Sequence, residues 1–261
     1  MGKSPVAIII LDGFGWREED EGNAVNLANK PNFDRYWDEF PHSTMAASGL
    51  AVGLPEGQMG NSEVGHTNIG AGRVVYQSIT RIDKAVQDGE FSENESLLKT
   101  FKQVKDHNSA LHLFGLVSDG GVHSHSRHIT FLIKEAKAYG IEKIYIHAFT
   151  DGRDVAPDSG AEFIEELEEF LAEEEIGEIA TISGRFYAMD RDTRWPRVKR
   201  AYDAIFHGEG NKATDAVQGV KDSYEAEVFD EFIEPIVIEK DGEAVGTVKD
   251  DDAIIFFNSF N

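Results

Sequence analysis

The residue types able to do chemistry in this chain sit in short clusters, each directly after an apolar run. Asp12-Gly13 follows residues 6–11, Asp119-Gly120-Gly121-Val122-His123 follows 110–117, Asp151-Gly152-Arg153-Asp154 follows 143–149, and Gly184-Arg185 follows 179–183. Carboxylate, imidazole and guanidinium arriving together suit an oxygen-rich anion, because the planar fork of arginine donates two parallel hydrogen bonds to phosphate or carboxylate. Arg153 and Arg185 close two of these runs, and Arg191 follows in Met189-Asp190-Arg191-Asp192. A surface salt bridge explains any one of them but is a weaker account of the set, since five of the eleven arginines lie between Arg185 and Arg200. Arg194, Arg197 and Arg200 recur at spacing three on a helix whose other face holds Trp195, Val198, Tyr202 and Ile205, and they are expected to face solvent.

Ser62 lies in Gly60-Asn61-Ser62-Glu63-Val64-Gly65-His66, where it is placed to open a short helix. Backbone N–H groups and the helix dipole favour an anion there, so a phosphorylated serine would be stabilised. An ordinary N-cap serine fits the same pattern. Asp12-Gly13 likewise reads either as a turn or as a metal ligand at a strand end. Of His123, His125 and His128, the first is the candidate phosphate donor, and the other two, on or near a helix start, are assigned to structure. There is no Walker phosphate loop and no G-x-G-x-x-G, so nucleotide binding has no support.

Positioning these clusters together requires the apolar runs to be strands of one open α/β sheet, whose ligands bind beyond the strands' carboxyl ends. Strands are predicted over 6–11, 110–117, 143–149, 179–183 and 253–257, with amphipathic helices between them. One helix sets Ile129, Leu132, Ile133 and Ala136 on one face and ends at Gly140; another sets Phe163, Ile164, Leu167, Phe170 and Leu171 against solvated glutamates. Residues 236–239 and 244–248 flank Asp241-Gly242 as a hairpin. Residues 49–72, rich in Gly, Asn and Ser, form a long loop of the kind that often carries function. A domain boundary is expected near Tyr76, where a helix capped by Ser78 begins and carries Ile79, Ile82 and Val86.

A length of 261 residues allows roughly 70 to 75% of the unfolded surface to be buried. The chain has no cysteine, and the 6–11 run is too short for a signal or membrane segment, so a cytoplasmic protein is expected and any metal must be held by Asp, Glu, His or hydroxyl oxygens. A net charge of -23 repels nucleic acid and anionic membranes, and neither is expected as a partner.

Taken in order, 11–15, 60–66, 118–125, 151–154, 184–185 and 189–192 make the chain resemble the cofactor-independent (2,3-bisphosphoglycerate-independent) phosphoglycerate mutases from Lys3 to about Asn258. The resemblance implies an alkaline-phosphatase-like metal domain, of which residues 1–76 are a part, with an inserted α/β transferase domain over 77–261. It implies a monomer at full length that interconverts 3-phosphoglycerate and 2-phosphoglycerate, in glycolysis and gluconeogenesis, with two manganese ions. By motif, Ser62 would be the nucleophile that becomes phosphoserine, and Asp12 and Ser62 would ligate one metal. His123, Arg153, Arg185 and Arg191 would hold the substrate's anionic groups, and Asp154 would act as base or orienter for the glycerate hydroxyls. The family continues for as much chain again, and Ser259 stands after Asn258 where its pattern has Phe-Arg-Pro-Asp-Arg. Two arginines, a lysine and most metal ligands of the family pattern are therefore missing, and the chain alone is expected to be an incomplete enzyme. The alternatives are a phosphoglycerate-binding fragment without turnover and a related metal-dependent phosphatase, the latter only if the arginines do not converge.

Overall fold

A computed structural model describes residues 5–258. The chain forms two compact units, Met1–Thr80 and Arg81–Asn261.

In the first unit the helices α1 (Ala24–Leu27), α2 (Pro31–Glu39) and α3 (Ser62–Ala71) are joined by loops. The termini of α3 are well specified. The Asn61 side chain accepts from Val64 N–H at one end, and Gly72 closes the other in the left-handed conformation, φ 65. Val52, Leu54 and Val64 form a small buried cluster. The strand expected over 6–11 does not form. Val6, Ile8 and Ile9 are 91%, 75% and 84% exposed, and the run stays irregular. An apolar run becomes a strand only when a neighbour accepts its backbone hydrogen bonds, and among the described residues none pairs with it.

Helix α4 (Ser78–Gln87) spans the division, and the second unit continues with α5 (Glu95–His107), β1 (Leu111–Leu116), α6 (Ser126–Tyr139), β2 (Ile144–Thr150), α7 (Gly160–Glu174) and β3 (Glu178–Gly184). After it come α8 (Arg185–Ala188), α9 (Trp195–His207), β4 (Asn211–Ala213), α10 (Ala216–Glu225), β5 (Ile236–Lys240), β6 (Glu243–Ala244) and β7 (Ala253–Phe256). The sheet runs β4-β5-β3-β2-β1-β7, with β6 paired to β5. Strands β1, β2, β3 and β7 are mutually parallel, and β5 is antiparallel to β3.

This is the expected α/β architecture, and the reason is visible along β1. Leu111 and Leu113 enter one buried cluster with α5, α6 and α7, whereas Phe114 and Leu116 enter another with Phe149 and Ile205. Side chains alternate across a strand, so both faces are covered and every position of β1 must be apolar or neutralised. The hairpin forms with Asp241 and Gly242 both at positive φ, as a two-residue turn requires, but its second arm is only Glu243–Ala244. Strand β4 was not anticipated, since Asn211-Lys212-Ala213 carries no apolar signal.

Candidate functional site

Because β1, β2 and β3 are parallel, the loops that follow them leave the sheet at one edge. There they enclose a cleft of about 620 Å³. His123 comes from the loop after β1, Arg153 and Asp154 from the loop after β2, and Arg185 and Arg191 from α8 and the segment beyond it; all five line the cleft. Phe186, Met189, Asp190, Asp192, Arg197, Glu231 and Phe232 complete its wall.

Asp151 organises this edge, although its side chain is only 1% exposed. One carboxylate oxygen accepts from Arg153 N–H at 3.1 Å and Asp154 N–H at 3.0 Å, folding the loop back on itself. The same oxygen accepts from Arg185 Nη1 at 2.7 Å, and the other accepts from the Ser118 hydroxyl at 2.9 Å. Burial by itself would raise the Asp151 carboxyl, but the bonds from Asp154 N–H, Arg185, Ser118 and Arg153 N–H outweigh it and hold the group below its usual value. Arg185 also donates to Asp154 Oδ2 at 2.7 Å, so it bridges two carboxylates and is aimed by both. His123 Nε2 lies 3.7 Å from Asp154 Oδ2. Burial, then the charge of Arg185, lowers its pKa, so the ring is neutral at pH 7. Arg153 is more open, with Nη1 3.8 Å from Glu231 Oε1. Arg191 lines the cleft with no ion pair among the described residues.

The row of arginines on α9 divides differently from expectation. Arg197 faces the cleft: its guanidinium stacks 3.6 Å from the Phe186 ring centroid and lies 3.6 Å from Asp190 Oδ1. Arg194 remains solvent-facing, while Arg200 pairs with Glu234 at 2.8 Å. The buried face of α9 is Ala201, Ala204 and Ile205, and Trp195 and Tyr202 are exposed. Small residues let this helix lie close to the sheet, and the bulky aromatics of the same helix turn outward. His125 accepts from Arg127 N–H as the cap of α6, and His128 Nε2 meets Asp83 Oδ1 at 2.7 Å, so both serve structure.

In the first unit the Ser62 hydroxyl donates to Asp12 Oδ2 at 2.7 Å, joining residues fifty positions apart. Ser62 is the first residue of α3, and Asn61 is the cap, so the serine hydroxyl is not spent on capping. His66 Nδ1 stands 3.1 Å from Ser62 Oγ. Two oxygens this close offer donors to one hard cation. Among the described residues no group of three or more His, Cys, Asp or Glu could hold a metal ion.

The family model described as "BPG-independent PGAM N-terminus" matches residues 82–260. The chain belongs to that family. It is 63% identical over 258 residues to the 2,3-bisphosphoglycerate-independent phosphoglycerate mutase of Listeria welshimeri, covering 99% of this chain and 51% of that protein. The Clostridium perfringens protein of the same name is 57% identical, with 99% and 50% covered. The chain thus spans about half the length of these curated relatives. A crystal structure of Leishmania mexicana phosphoglycerate mutase, at low cobalt concentration, superposes with a TM-score of 0.75 at 36% identity, over 90% of this chain and 45% of that one.

Within the cleft, sequence reasoning did not find Asp151's organising role, Arg197 or Glu231. Asp151 was legible only as one letter of a motif. Glu231 lies in the short acidic 3-10 turn Asp230–Phe232, and no local pattern in the sequence separates it from its neighbours.

Proposed function

We propose that this chain takes part in the interconversion of 3-phosphoglycerate and 2-phosphoglycerate, the second unit holding the substrate and Ser62 of the first carrying the phosphoryl group. The single observation supporting this is the meeting of His123, Arg153, Arg185 and Arg191 with Asp154 on one cleft. Guanidinium forks at separate points of the wall suit a molecule with a phosphate at one end and a carboxylate at the other. Arg185 and Arg153 would hold one anionic group and Arg191 the other, with neutral His123 donating one hydrogen bond. Asp154, tied to Arg185, would orient the glycerate hydroxyls and carry protons to and from them.

In the transfer, a bond forms from Ser62 Oγ to phosphorus as the phosphorus bond to a glycerate oxygen breaks. The serine proton leaves, and the released glycerate oxygen gains one. The reverse step onto the other glycerate hydroxyl completes the isomerisation. The Leishmania mexicana relative was crystallised at low cobalt concentration, and the reading includes two manganese ions in an alkaline-phosphatase-like domain. Asp12 Oδ2 and Ser62 Oγ, 2.7 Å apart, fit as neighbouring donors to one such ion, since ligands at about 2.1 Å on adjacent octahedral corners lie roughly 3 Å apart. A metal bound there would lower the serine pKa and neutralise charge on the phosphoryl oxygens.

Two donors are fewer than the six or so that a hard divalent ion takes, which favours binding without turnover as a second reading for this chain by itself. The meeting of the arginines on one cleft supports the mutase reading over that of a related metal-dependent phosphatase. Arginine modification with phenylglyoxal, mapped by mass spectrometry, tests the reading: 3-phosphoglycerate is expected to protect Arg153 and Arg191 and to leave Arg194 reactive. Protection of none, or of all three equally, would contradict it.

A further inference from the structure

We infer that Asp230 is a positioning residue for the cleft: it locks the turn Asp230–Phe232 between the ends of β2 and β3 and thereby sets where Arg153 and Arg185 stand. Asp230 is fully buried and does not line the cleft, so it acts through others. Its carbonyl accepts from the Thr150 hydroxyl, at the last residue of β2, at 2.7 Å. Gly184 N–H, at the last residue of β3, donates to Ile233 O at 2.8 Å. The turn is therefore bonded to both strands just where the cleft arginines begin.

The two glycines in front of those arginines show how tightly the turn is wedged. A Cβ on Gly152, which also stands at φ 67, would lie 2.8 Å from Glu231 N, and one on Gly184 would lie 2.3 Å from Glu231 O. Neither obstacle is a side chain able to swing away. Backbone packs on backbone on both sides of the turn, so Arg153 and Arg185 take their origin from it.

The Asp230 side chain fixes the turn from behind. Its Oδ2 accepts from Gly160 N–H at 2.7 Å, its Oδ1 accepts from the Tyr224 hydroxyl, and that hydroxyl accepts from Ala161 N–H at 3.2 Å. The residue preceding α7, Ser159, makes no side-chain cap bond, so Asp230 supplies the carboxylate for that helix N-terminus. The Asp230 side chain thus joins α7 and α10 while the backbone of the turn is bonded to β2 and β3, and the turn carries Glu231 and Phe232 into the cleft wall. A helix cap alone would not need the turn wedged between two arginine-bearing loops.

This inference rests on the reading of the cleft as a phosphoglycerate site, and its test separates the two. The whole chain, Asp230→Asn and Thr150→Val are compared by hydrogen exchange with mass spectrometry and by titration with 3-phosphoglycerate, at a temperature where each is folded. Thr150→Val loosens the turn without touching the α7 cap, and it serves also if Asp230→Asn does not fold. Faster exchange is expected at 151–155 and 184–187 with β1 unchanged, together with roughly tenfold weaker binding for Asp230→Asn and a smaller loss for Thr150→Val. Unchanged exchange at both segments, or unchanged affinity despite faster exchange, would overturn the positioning role. No binding by the unmodified chain would overturn the reading of the cleft, and exchange alone would then decide the role of Asp230.

Discussion

Arg185 and Arg153 stand on adjacent strand ends, yet their replacement should have very different consequences. Arg185 neutralises Asp151, whose side chain is 1% exposed, and removing it leaves a buried carboxylate without its cation. Arg185→Ala is therefore expected to cost about 3 to 5 kcal/mol of stability in chemical denaturation. Arg153 is 60% exposed and 3.8 Å from its partner, so Arg153→Ala should cost less than about 1 kcal/mol. Equal losses would mean that Asp151 is not organised by Arg185. At this scale the sequence was readable wherever a residue's place followed from a strand end, as for His123, Arg153, Asp154 and Arg185. It was not readable where rotation of a helix decided the matter: a period-three row of arginines looks uniformly solvated, and only the packing of Ala201 and Ala204 turns Arg197 toward Phe186.

Among the elements, the sheet carries a buried polar chain that its apolar strands do not advertise. His112 Nε2–H reaches Asp252 at 3.2 Å, His147 Nε2–H reaches His112 Nδ1 at 2.9 Å, and the Thr181 hydroxyl reaches His147 Nδ1 at 2.9 Å. With both rings neutral, every nitrogen in this chain across β1, β2 and β3 has a partner. Burial lowers the pKa of both histidines, that of His147 well below its usual value. A depressed histidine pKa gives stability that is fully present above about pH 6.5 and is lost as pH falls below it. Burial raises Asp230 to about 6, which acts in the opposite sense, adding stability as pH falls through that value. The melting temperature should therefore fall between pH 7.5 and pH 5 less steeply in His147→Gln than in the unmodified chain; identical slopes would show that the relay is not what titrates. Element types were legible where both faces of a strand are covered, as in β1 and β2. The 6–11 run misled because apolar character records a demand for burial and says nothing of whether a neighbouring strand meets it.

At the scale of the whole molecule the two units differ in how they are held. The second has a seven-stranded sheet with buried clusters on both faces, and the first has short helices and a small buried cluster of Val52, Leu54 and Val64. Limited proteolysis is expected to cut first before Thr80 and to leave a fragment of about residues 81–258 resistant, read by mass. Early cuts inside the sheet region would contradict this ordering. Against a net charge of -23, the cleft lining balances four arginines with four carboxylates, a local relief of the negative field that suits a small anion at that edge better than a polyanion anywhere else.

Calorimetric titration with 3-phosphoglycerate, with Arg191→Ala run beside the unmodified chain, reads whether this cleft grips phosphoglycerate. Arg191 is the suitable residue because it lines the cleft without an ion pair among the described residues, so its removal uncovers no buried carboxylate. The unmodified chain is expected to bind one-to-one, and the variant to lose roughly 1.5 to 3 kcal/mol, about tenfold or more in Kd. Binding of equal strength in both, or in neither, would contradict it.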